Sequence, residues 1–381
     1  MAEIKDLESA RAWLVEAPRK AQIVLAARST VRALKGLAAE ASALNEAALP
    51  AFRASLICSV SGTGADSELL RSAAKHALAT LRDIHLKEPR ALAALAATRS
   101  ALSAVMRLRV SYNSAGILVA TGDEAAADAI AASADVSPET AWTEAATDAK
   151  LLETGQSTTV LDSVVYGEMR NAASRAGHAE GDQSFLGFFS SDHAVWNFWK
   201  RWYEGMTAGR PLDWDLQREV ALIPDDDWKK GPEHIARLIE EIEARFELKA
   251  RIRELEDELA SASRDRFGIG GNNPPEAIES APSIAKEFAI IWAPLQDLKL
   301  EVERKDREPS RIAKLLALLA EALLHGLRWC ASKADLIVDT SIKWAVPVVG
   351  GTVVGGSGYL ALNPDKLAAV IEAGKHWLSM P

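Results

Sequence analysis

The first third of the chain carries apolar residues three and four positions apart, the spacing that places them on one face of an α-helix. Two runs show this spacing: Val24, Ala27, Val31, Leu34 and Ala38, and then Leu70, Ala74, Ala77, Leu81 and Ile84. Pro50 and the Ser-Gly-Thr-Gly stretch at 61–64 predict breaks between the runs, and Asp66 or Ser67 is expected to cap the second helix. The pattern predicts an alanine-rich helical bundle over residues 1–150.

Glycine recurs between residues 151 and 187, mixed with serine, threonine and aspartate. Because glycine weakens helices and favours turns, this stretch is predicted to be a loop-rich connection with one short helix near residues 164–175. We expect a domain boundary inside it.

Tryptophan is concentrated in the segment that follows, where five of the eleven tryptophans fall in 33 residues. A helix is predicted to start at Ser190, Ser191 and Asp192 and to end at Gly205 and the glycine–proline stretch 209–211. The aromatic residues that stand out are Trp196, Trp199, Trp202, Tyr203, Trp214 and Trp228. An apolar stripe from about residue 233 to 266 predicts a long amphipathic helix, so residues 188–266 are interpreted as a Trp-rich helical unit.

Residues 267–282, rich in glycine and proline, predict a linker into a last helical unit, residues 283–381. From 311 to 345 the polar residues recur in one narrow helical stripe, and most of the remaining circumference is Leu, Ala, Ile and Trp. A helix that is apolar on most sides is buried in protein or inserted in lipid. Asn363, Pro364 and Asp365 predict the start of a last amphipathic helix.

Residues 344–363 contain no charged side chain. As one helix these twenty residues would span about 30 Å, close to the hydrocarbon core of a bilayer; a glycine-rich hairpin buried in protein would show the same composition. The Gly351 and Gly355 spacing suits close helix packing in lipid, and Trp344 and Tyr359 lie near the two ends. The candidate membrane or oligomer residues are Leu316, Leu319, Leu323, Trp344, Pro347, Gly351, Gly355, Tyr359 and Trp377.

Composition narrows the classes of protein that remain. Strands favour β-branched and aromatic residues, whereas this chain has long alanine runs and few aromatics. The composition therefore predicts an all-α fold, a multi-part helical bundle with a long amphipathic helix and an apolar C-terminal helical unit. The net charge of −9 argues against a general nucleic-acid binder. Cys58 and Cys330, far apart, make neither a disulfide scaffold nor a zinc site. The charged start of the chain lacks the apolar core of a signal peptide, so cytoplasmic synthesis is expected.

The Trp-rich segment also carries a recurrent block of short motifs. Its residues are Trp199, Lys200, Arg201, Trp202 and Tyr203, then Gly-Arg-Pro-Leu at 209–212, Leu-Ile-Pro at 222–224, Trp228 and Gly-Pro at 231–232. The block resembles one in a large group of uncharacterised, alanine-rich helical bacterial proteins, and the resemblance covers about residues 10–280. That group often carries a Gly-Ile-Gly-His-Asn-Asn-Pro-Pro-Glu signature, in which Gly271 here replaces the histidine. The resemblance implies no activity.

Motifs for catalysis are weak along the whole chain. No Gly-Lys-Ser/Thr follows the glycines at 61–64, and the seven histidines do not occur at metal-ligand spacings. Asp225, Asp226 and Asp227 offer oxygen ligands for a divalent cation together with Asp213 or Asp215. Acidic residues directly after a proline are, however, typical of a first helical turn, and this interpretation is preferred. No catalytic residue, metal ligand or cofactor is assigned.

The Trp cluster has two interpretations. Tryptophan faces bind bases and cations, but residues 213–260 carry 15 acidic and 8 basic side chains, a balance that repels phosphate. The preferred interpretation is an aromatic core that joins the short helices. Docking of a partner protein at Trp196, Trp199, Trp202, Tyr203, Trp214 and Trp228 is the alternative.

Three hypotheses of function remain. The first is a non-enzymatic, oligomerising helical protein whose C-terminal segment docks on or inserts into a membrane, such as an effector in the cytoplasm or at the inner membrane. The second is a soluble scaffold or partner-binding protein whose C-terminal helices form a buried oligomer interface. The third is a divalent-metal-dependent enzyme that uses Asp225, Asp226 and Asp227 with His234. The expected partners are a second copy, a lipid membrane or another protein, and not nucleic acid.

Overall fold

Helices account for almost every described residue, so the predicted all-α fold is confirmed. The computed structural model describes residues 3–64, 67–106, 122–138, 140–154, 160–161, 185, 187–189, 193–267, 282–304, 308–332, 344–346, 360–362 and 364–380. The contacts divide the chain into two compact units, Met1–Ile239 and Glu240–Pro381. The finer division into five segments stays a prediction, and most of the expected connection at 151–187 lies outside the described residues.

The first unit begins with a bundle of helices that covers the predicted N-terminal bundle. Its helices are α1 (Leu7–Glu16), α2 (Arg19–Ala33), a 3₁₀-helix (Leu34–Ala39), α3 (Ala41–Gly62), α4 (Glu68–Arg82), α5 (Pro89–Met106), α6 (Gly122–Val136) and α7 (Ala141–Glu153). The first predicted apolar run falls in α2 and the 3₁₀-helix, and the second falls in α4 and the residues just after it.

The helix α2 lies at the centre of this bundle. Its residues from 23 to 33 are all buried, Arg28 and Arg32 among them, because α3, α5, α6 and α7 pack around it. The helices approach each other closely: a Cβ built on Gly36 would lie 2.7 Å from the carbonyl oxygen of Arg90. Small side chains at such positions are therefore a condition of the packing.

Pro50 lies inside α3 and does not break it, so that prediction was wrong. A proline in a helix interior loses one backbone hydrogen bond and costs about 3 kcal/mol. The residues on both sides of it, 47, 48, 51 and 52, are completely buried, and packing of this kind supplies most of the stability of a helix in a protein. The predicted cap of α4 is confirmed, since the Ser67 hydroxyl accepts a hydrogen bond from the N–H of Leu70 at 3.2 Å.

The Trp-rich segment forms α8 (His193–Thr207), α9 (Trp214–Ala221), α10 (Asp225–Trp228) and the beginning of α11 (Pro232–Phe267). The helix α8 continues past Gly205 and ends before Gly209, whose φ of 67° lies in the left-handed region. The long amphipathic helix predicted from 233 to 266 is confirmed as α11. The division between the two units falls inside α11, after Ile239.

The second unit is a bundle of the remainder of α11 with α12 (Pro282–Glu303), α13 (Pro309–Ser332) and α14 (Pro364–Ser379). The start of α14 at Pro364 is as predicted. Glu301, which is completely buried, joins the end of α12 to the start of α13 through ion pairs with Arg304 at 2.9 Å and Arg311 at 3.1 Å. The helices share one apolar core, whose large members are Leu248, Ile252, Leu255, Leu259, Ile291, Trp292, Leu295, Leu298, Ile312, Leu315, Leu316, Leu319, Leu367, Ile371 and Trp377.

For residues 344–363 the sequence left two alternatives, a single helix and a glycine-rich hairpin. Within the described residues α13 ends at Ser332, and Trp344–Val346 (β1) pairs antiparallel with Leu360–Leu362 (β2). The two described ends of 344–363 therefore contradict a single helix and fit the hairpin alternative, and the predicted helical stripe does not continue through 344 and 345. Pro347 disfavours helical backbone at the residue before it, and each of the five glycines in the segment weakens a helix by about 1 kcal/mol relative to alanine.

Candidate functional site

The aromatic residues of the Trp-rich segment meet around Phe52, a residue of α3 that the sequence did not single out. The ring of Phe52 stacks on Trp199 of α8, with 5.4 Å between centroids and 14° between planes. Trp202 meets the same ring edge-on at 6.4 Å. Phe185 and Phe189 close the cluster from the segment before α8. The cluster therefore joins α8 to α3 within the first unit.

Most of the candidate partner-binding residues belong to this core. The buried ones are Trp196, Trp199, Trp202 and Tyr203, and the half-buried ones are Trp214 and Trp228. The exposed ring surface that partner binding requires is thus present at Trp214 and Trp228. Burial of the other four is the arrangement expected of an aromatic core.

The indole N–H groups around this core donate hydrogen bonds within the chain. Nε1 of Trp202 donates to Oε1 of Gln217 at 2.9 Å, and Nε2 of Gln217 donates to the carbonyl of Leu212 at 2.7 Å. Nε1 of Trp228 donates to the carbonyl of Ile223 at 3.0 Å. Gln217 is completely buried, so its amide fixes α9 against α8 and leaves no polar atom of the pair unsatisfied.

The first acid of the triplet 225–227 contacts two basic side chains from other helices. Oδ1 of Asp225 accepts a hydrogen bond from Nη2 of Arg53, and its Oδ2 lies 2.7 Å from Nδ1 of His76. The guanidinium carbon of Arg53 lies 4.7 Å from the ring centre of Trp228, a cation–π distance. Burial lowers the pKa of Arg53, and its hydrogen bond to Asp225 opposes that effect. These contacts join α3, α4 and α10.

The other two acids of the triplet also face basic partners. Asp226 pairs with Lys229 at 2.7 Å, and Asp227 pairs with Lys230 at 2.7 Å and with Nε2 of His234 at 2.9 Å. The hydrogen bonds from the two lysines are the main cause that lowers the pKa of both carboxyls. The triplet opens α10 directly after a proline, as the preferred interpretation predicts. Among the described residues no group of three or more His, Cys, Asp or Glu could hold a metal ion.

A buried ion-pair network crosses the centre of the first bundle, and the sequence analysis did not find it. Oδ2 of Asp148 accepts hydrogen bonds from Nε of Arg28 at 2.8 Å and from Nη2 of Arg32 at 2.5 Å. Nε of Arg32 also lies 2.8 Å from Oε2 of Glu144, and Nη1 of Arg28 donates to the carbonyl of Val160 at 2.6 Å. The only signal in the sequence is the matching four-residue spacing of the two arginines and of the two acids.

The charges of this network are shifted by their surroundings. Burial raises the pKa of Glu144, and the positive charge of Arg32 opposes the rise. Burial lowers the pKa of Arg28, against the attraction of Asp148. Burial also raises the pKa of the Cys58 thiol of α3, far from the range in which a thiolate forms. All of these groups are enclosed by the helices of the first unit.

The candidate residues of the C-terminal segment divide into three groups. Leu316, Leu319 and Trp377 are buried in the core of the second unit, and Leu323 is half-buried against it. Trp344 lies in β1. Pro347, Gly351, Gly355 and Tyr359 lie outside the described residues. The leucines of α13 that were expected to meet lipid or protein therefore meet protein.

One side of α13 faces solvent in the second unit. This outer face of α13 is formed by Ala313, Lys314, Ala317, Leu318, Glu321 and Leu324, which are all exposed. Leu318 is 42% exposed and Leu324 is 52% exposed. Lys314 and Glu321 belong to the polar stripe predicted from the sequence, and the described part of that stripe is confirmed as solvent-facing.

None of the described helices combines the length and the apolar character needed to cross a bilayer. The chain matches no protein-family model, no curated protein and no solved structure.

Proposed function

We propose that this chain is a non-enzymatic helical protein that self-associates through its C-terminal unit. The observation that carries the proposal is the outer face of α13, where Leu318 and Leu324 stay exposed on a helix whose other side is fully packed. Full burial of a leucine side chain contributes about 1.5–3 kcal/mol. Leu318 is 42% exposed and Leu324 is 52% exposed, so covering the exposed part of each leucine contributes about half of that value in each copy.

The distribution of exposed apolar residues supports a localised surface. In the first unit the large exposed apolar side chains are spread over four helices: Val15 on α1, Leu69 on α4, Leu92 on α5 and Leu151 on α7. Single exposed apolar residues of this kind are normal on a protein surface. In the second unit Leu318 and Leu324 share α13, with the small side chains of Ala313 and Ala317 beside them, and Leu300 of α12 is also exposed, at 60%.

The contacts of the acidic triplet and of the buried network support the non-enzymatic part of the proposal. The carboxylates of Asp225, Asp226 and Asp227 are each held by a different basic side chain. Those of Glu144 and Asp148 are enclosed with their arginines. Such pairing suits groups that fix helices against one another.

Light-scattering mass of the full chain in lipid-free buffer tests the proposal. We expect a mass of at least twice the 41.0 kDa of one chain, with dissociation on dilution. The variant Leu318→Glu with Leu324→Glu is expected to lower the mass to that of a monomer. The matched control is Leu69→Glu, a leucine 64% exposed in the first unit, which should leave the mass unchanged. A chain that remains monomeric at every concentration refutes the proposal.

Membrane docking is a second candidate, favoured by the absence of charged side chains from 344 to 363. The described ends of this segment pair as strands, so docking would use the two short apolar strands β1 and β2 and the residues between them. Flotation of the full chain with liposomes of neutral and of anionic lipid tests it. Protein that floats supports this candidate, and protein that stays at the bottom with every lipid counts against it.

A further inference from the structure

The two charges on the outer face of α13 are arranged so that the face complements itself. Lys314 and Glu321 lie seven residues apart, two helical turns or about 10.5 Å along the axis, and so on the same face. Both side chains are exposed, and neither forms an ion pair with another described residue. Seven residues is too far for the two to pair within one helix, because only neighbours three and four apart meet.

We propose that two copies of the chain pair antiparallel through the outer face of α13, with Lys314 of each copy opposite Glu321 of the other. The proposal rests on the proposed self-association and names its geometry. A two-fold axis midway between Ala317 and Leu318 brings the opposite charges together twice. A parallel pair in register would instead place lysine against lysine and glutamate against glutamate, which is unfavourable.

The apolar residues of the face fit the same arrangement. Ala317 lies at the axis, where its small side chain allows the two helices to approach to about 8 Å. Leu318 packs beside it from each copy, and Leu324 of one copy lies within one turn of Ala313 of the other. The pair is isologous, since the same surface is used on both copies, and such an interface closes as a dimer and does not propagate.

Charge reversal tests the pairing in the full chain. In Lys314→Glu both contacts become repulsive, and the dimer dissociation constant at low salt should rise by about tenfold. Glu321→Lys should do the same. The double variant Lys314→Glu with Glu321→Lys restores both pairs and should regain the wild-type constant, and an equimolar mixture of the two single variants should form heterodimers. Lys375→Glu and Glu372→Lys reverse an exposed pair on α14 and serve as matched controls.

Oxidative cross-linking tests the orientation, in a Cys330→Ser background that leaves the buried Cys58 as the other thiol. Ala317→Cys, at the axis, should form an intermolecular disulfide. Leu324→Cys should not, because an antiparallel pair separates the two thiols by about 20 Å along the axes.

The outcomes separate this inference from the proposed function. If the charge reversals leave the dimer dissociation constant unchanged, or if Leu324→Cys forms an intermolecular disulfide, the antiparallel pairing is overturned and the proposed self-association stands. Loss of liposome flotation in the reversal variants, with the dimer unchanged, assigns the face to lipid and also overturns it. A chain that is monomeric at every concentration overturns both the antiparallel pairing and the proposed self-association. Circular dichroism of each variant shows that the helices are retained.

Discussion

Replacing Asp148 with asparagine removes one negative charge from the buried network and keeps the volume of the side chain. Its Oδ2 accepts from two guanidinium groups, those of Arg28 and Arg32, at 2.8 and 2.5 Å. Glu144 remains beside Arg32, so the network is left with one uncompensated buried positive charge. Breaking a buried ion pair by removing one partner costs about 3–5 kcal/mol, and we expect a loss of this size in the free energy of unfolding of the first unit.

The reaction of Cys58 with a thiol reagent measures this loss in the first unit alone. The thiol is completely buried in α3, so in a Cys330→Ser background it reacts only when the first unit opens. The urea concentration at which half of the protein is labelled in a short pulse should fall in Asp148→Asn. Multiplying the shift in urea concentration by the wild-type slope of the unfolding free energy against urea converts it into a free-energy difference.

The matched control is Asp128→Asn, which removes the same charge from an exposed pair. Asp128 lies 3.4 Å from Arg11, and both side chains are about half exposed. Exposed pairs contribute about 0–1 kcal/mol. If Asp148→Asn destabilises the first unit no more than this control does, the network does not bear on stability and the reasoning from burial is refuted.

Three further predictions concern single positions. Gly205→Ala should destabilise the first unit by about 1–3 kcal/mol in thermal unfolding, because the new Cβ would lie 2.6 Å from the carbonyl oxygen of Arg210. Alanine normally favours a helix, so a gain in stability would contradict this prediction. Gly374→Ala places a Cβ 2.4 Å from Cδ2 of Leu316 and should destabilise the second unit, and Leu316→Ala added to it should recover part of the loss. For Glu144, burial raises the folded pKa above the ordinary 4.5, so its favourable contribution is complete below that value and is lost as the pH rises through the raised pKa. Glu144→Gln should therefore gain stability relative to wild type as the pH rises from 4.5, in urea unfolding at several pH values; a relative loss contradicts the sign.

The sequence predicted the helices well where the apolar positions of one helical face recur without interruption. The stripe of α11, the cap at Ser67 and the start of α14 at Pro364 are all recognisable within a few residues of sequence. Pro50 was misjudged because the packing that keeps α3 intact comes from other helices. The sequence did not decide between a helix and a hairpin around β1 and β2, because an apolar, uncharged run has the same composition in both.

The sequence predicted only those contacts of the candidate site that join residues close together in the chain. The helical spacing of Trp199 and Trp202 on α8 indicated an aromatic core, but its central ring, Phe52, belongs to a helix far earlier in the chain. The partners of Arg28 are likewise distant, and no periodicity links them. Contacts between remote positions are set by the tertiary fold, and a single sequence does not carry them.

The position of Arg28 has a consequence for how the protein is made on the ribosome. Asp148 and Val160, which receive its hydrogen bonds, follow it by 120 and 132 residues. At 5–20 residues per second, translation takes about 6–24 s to proceed from Arg28 to Asp148. Throughout that interval the emerging α2 would have to bury guanidinium groups without their acceptors, which is unfavourable. The buried network is therefore complete only after Asp148 and Val160 have been synthesised.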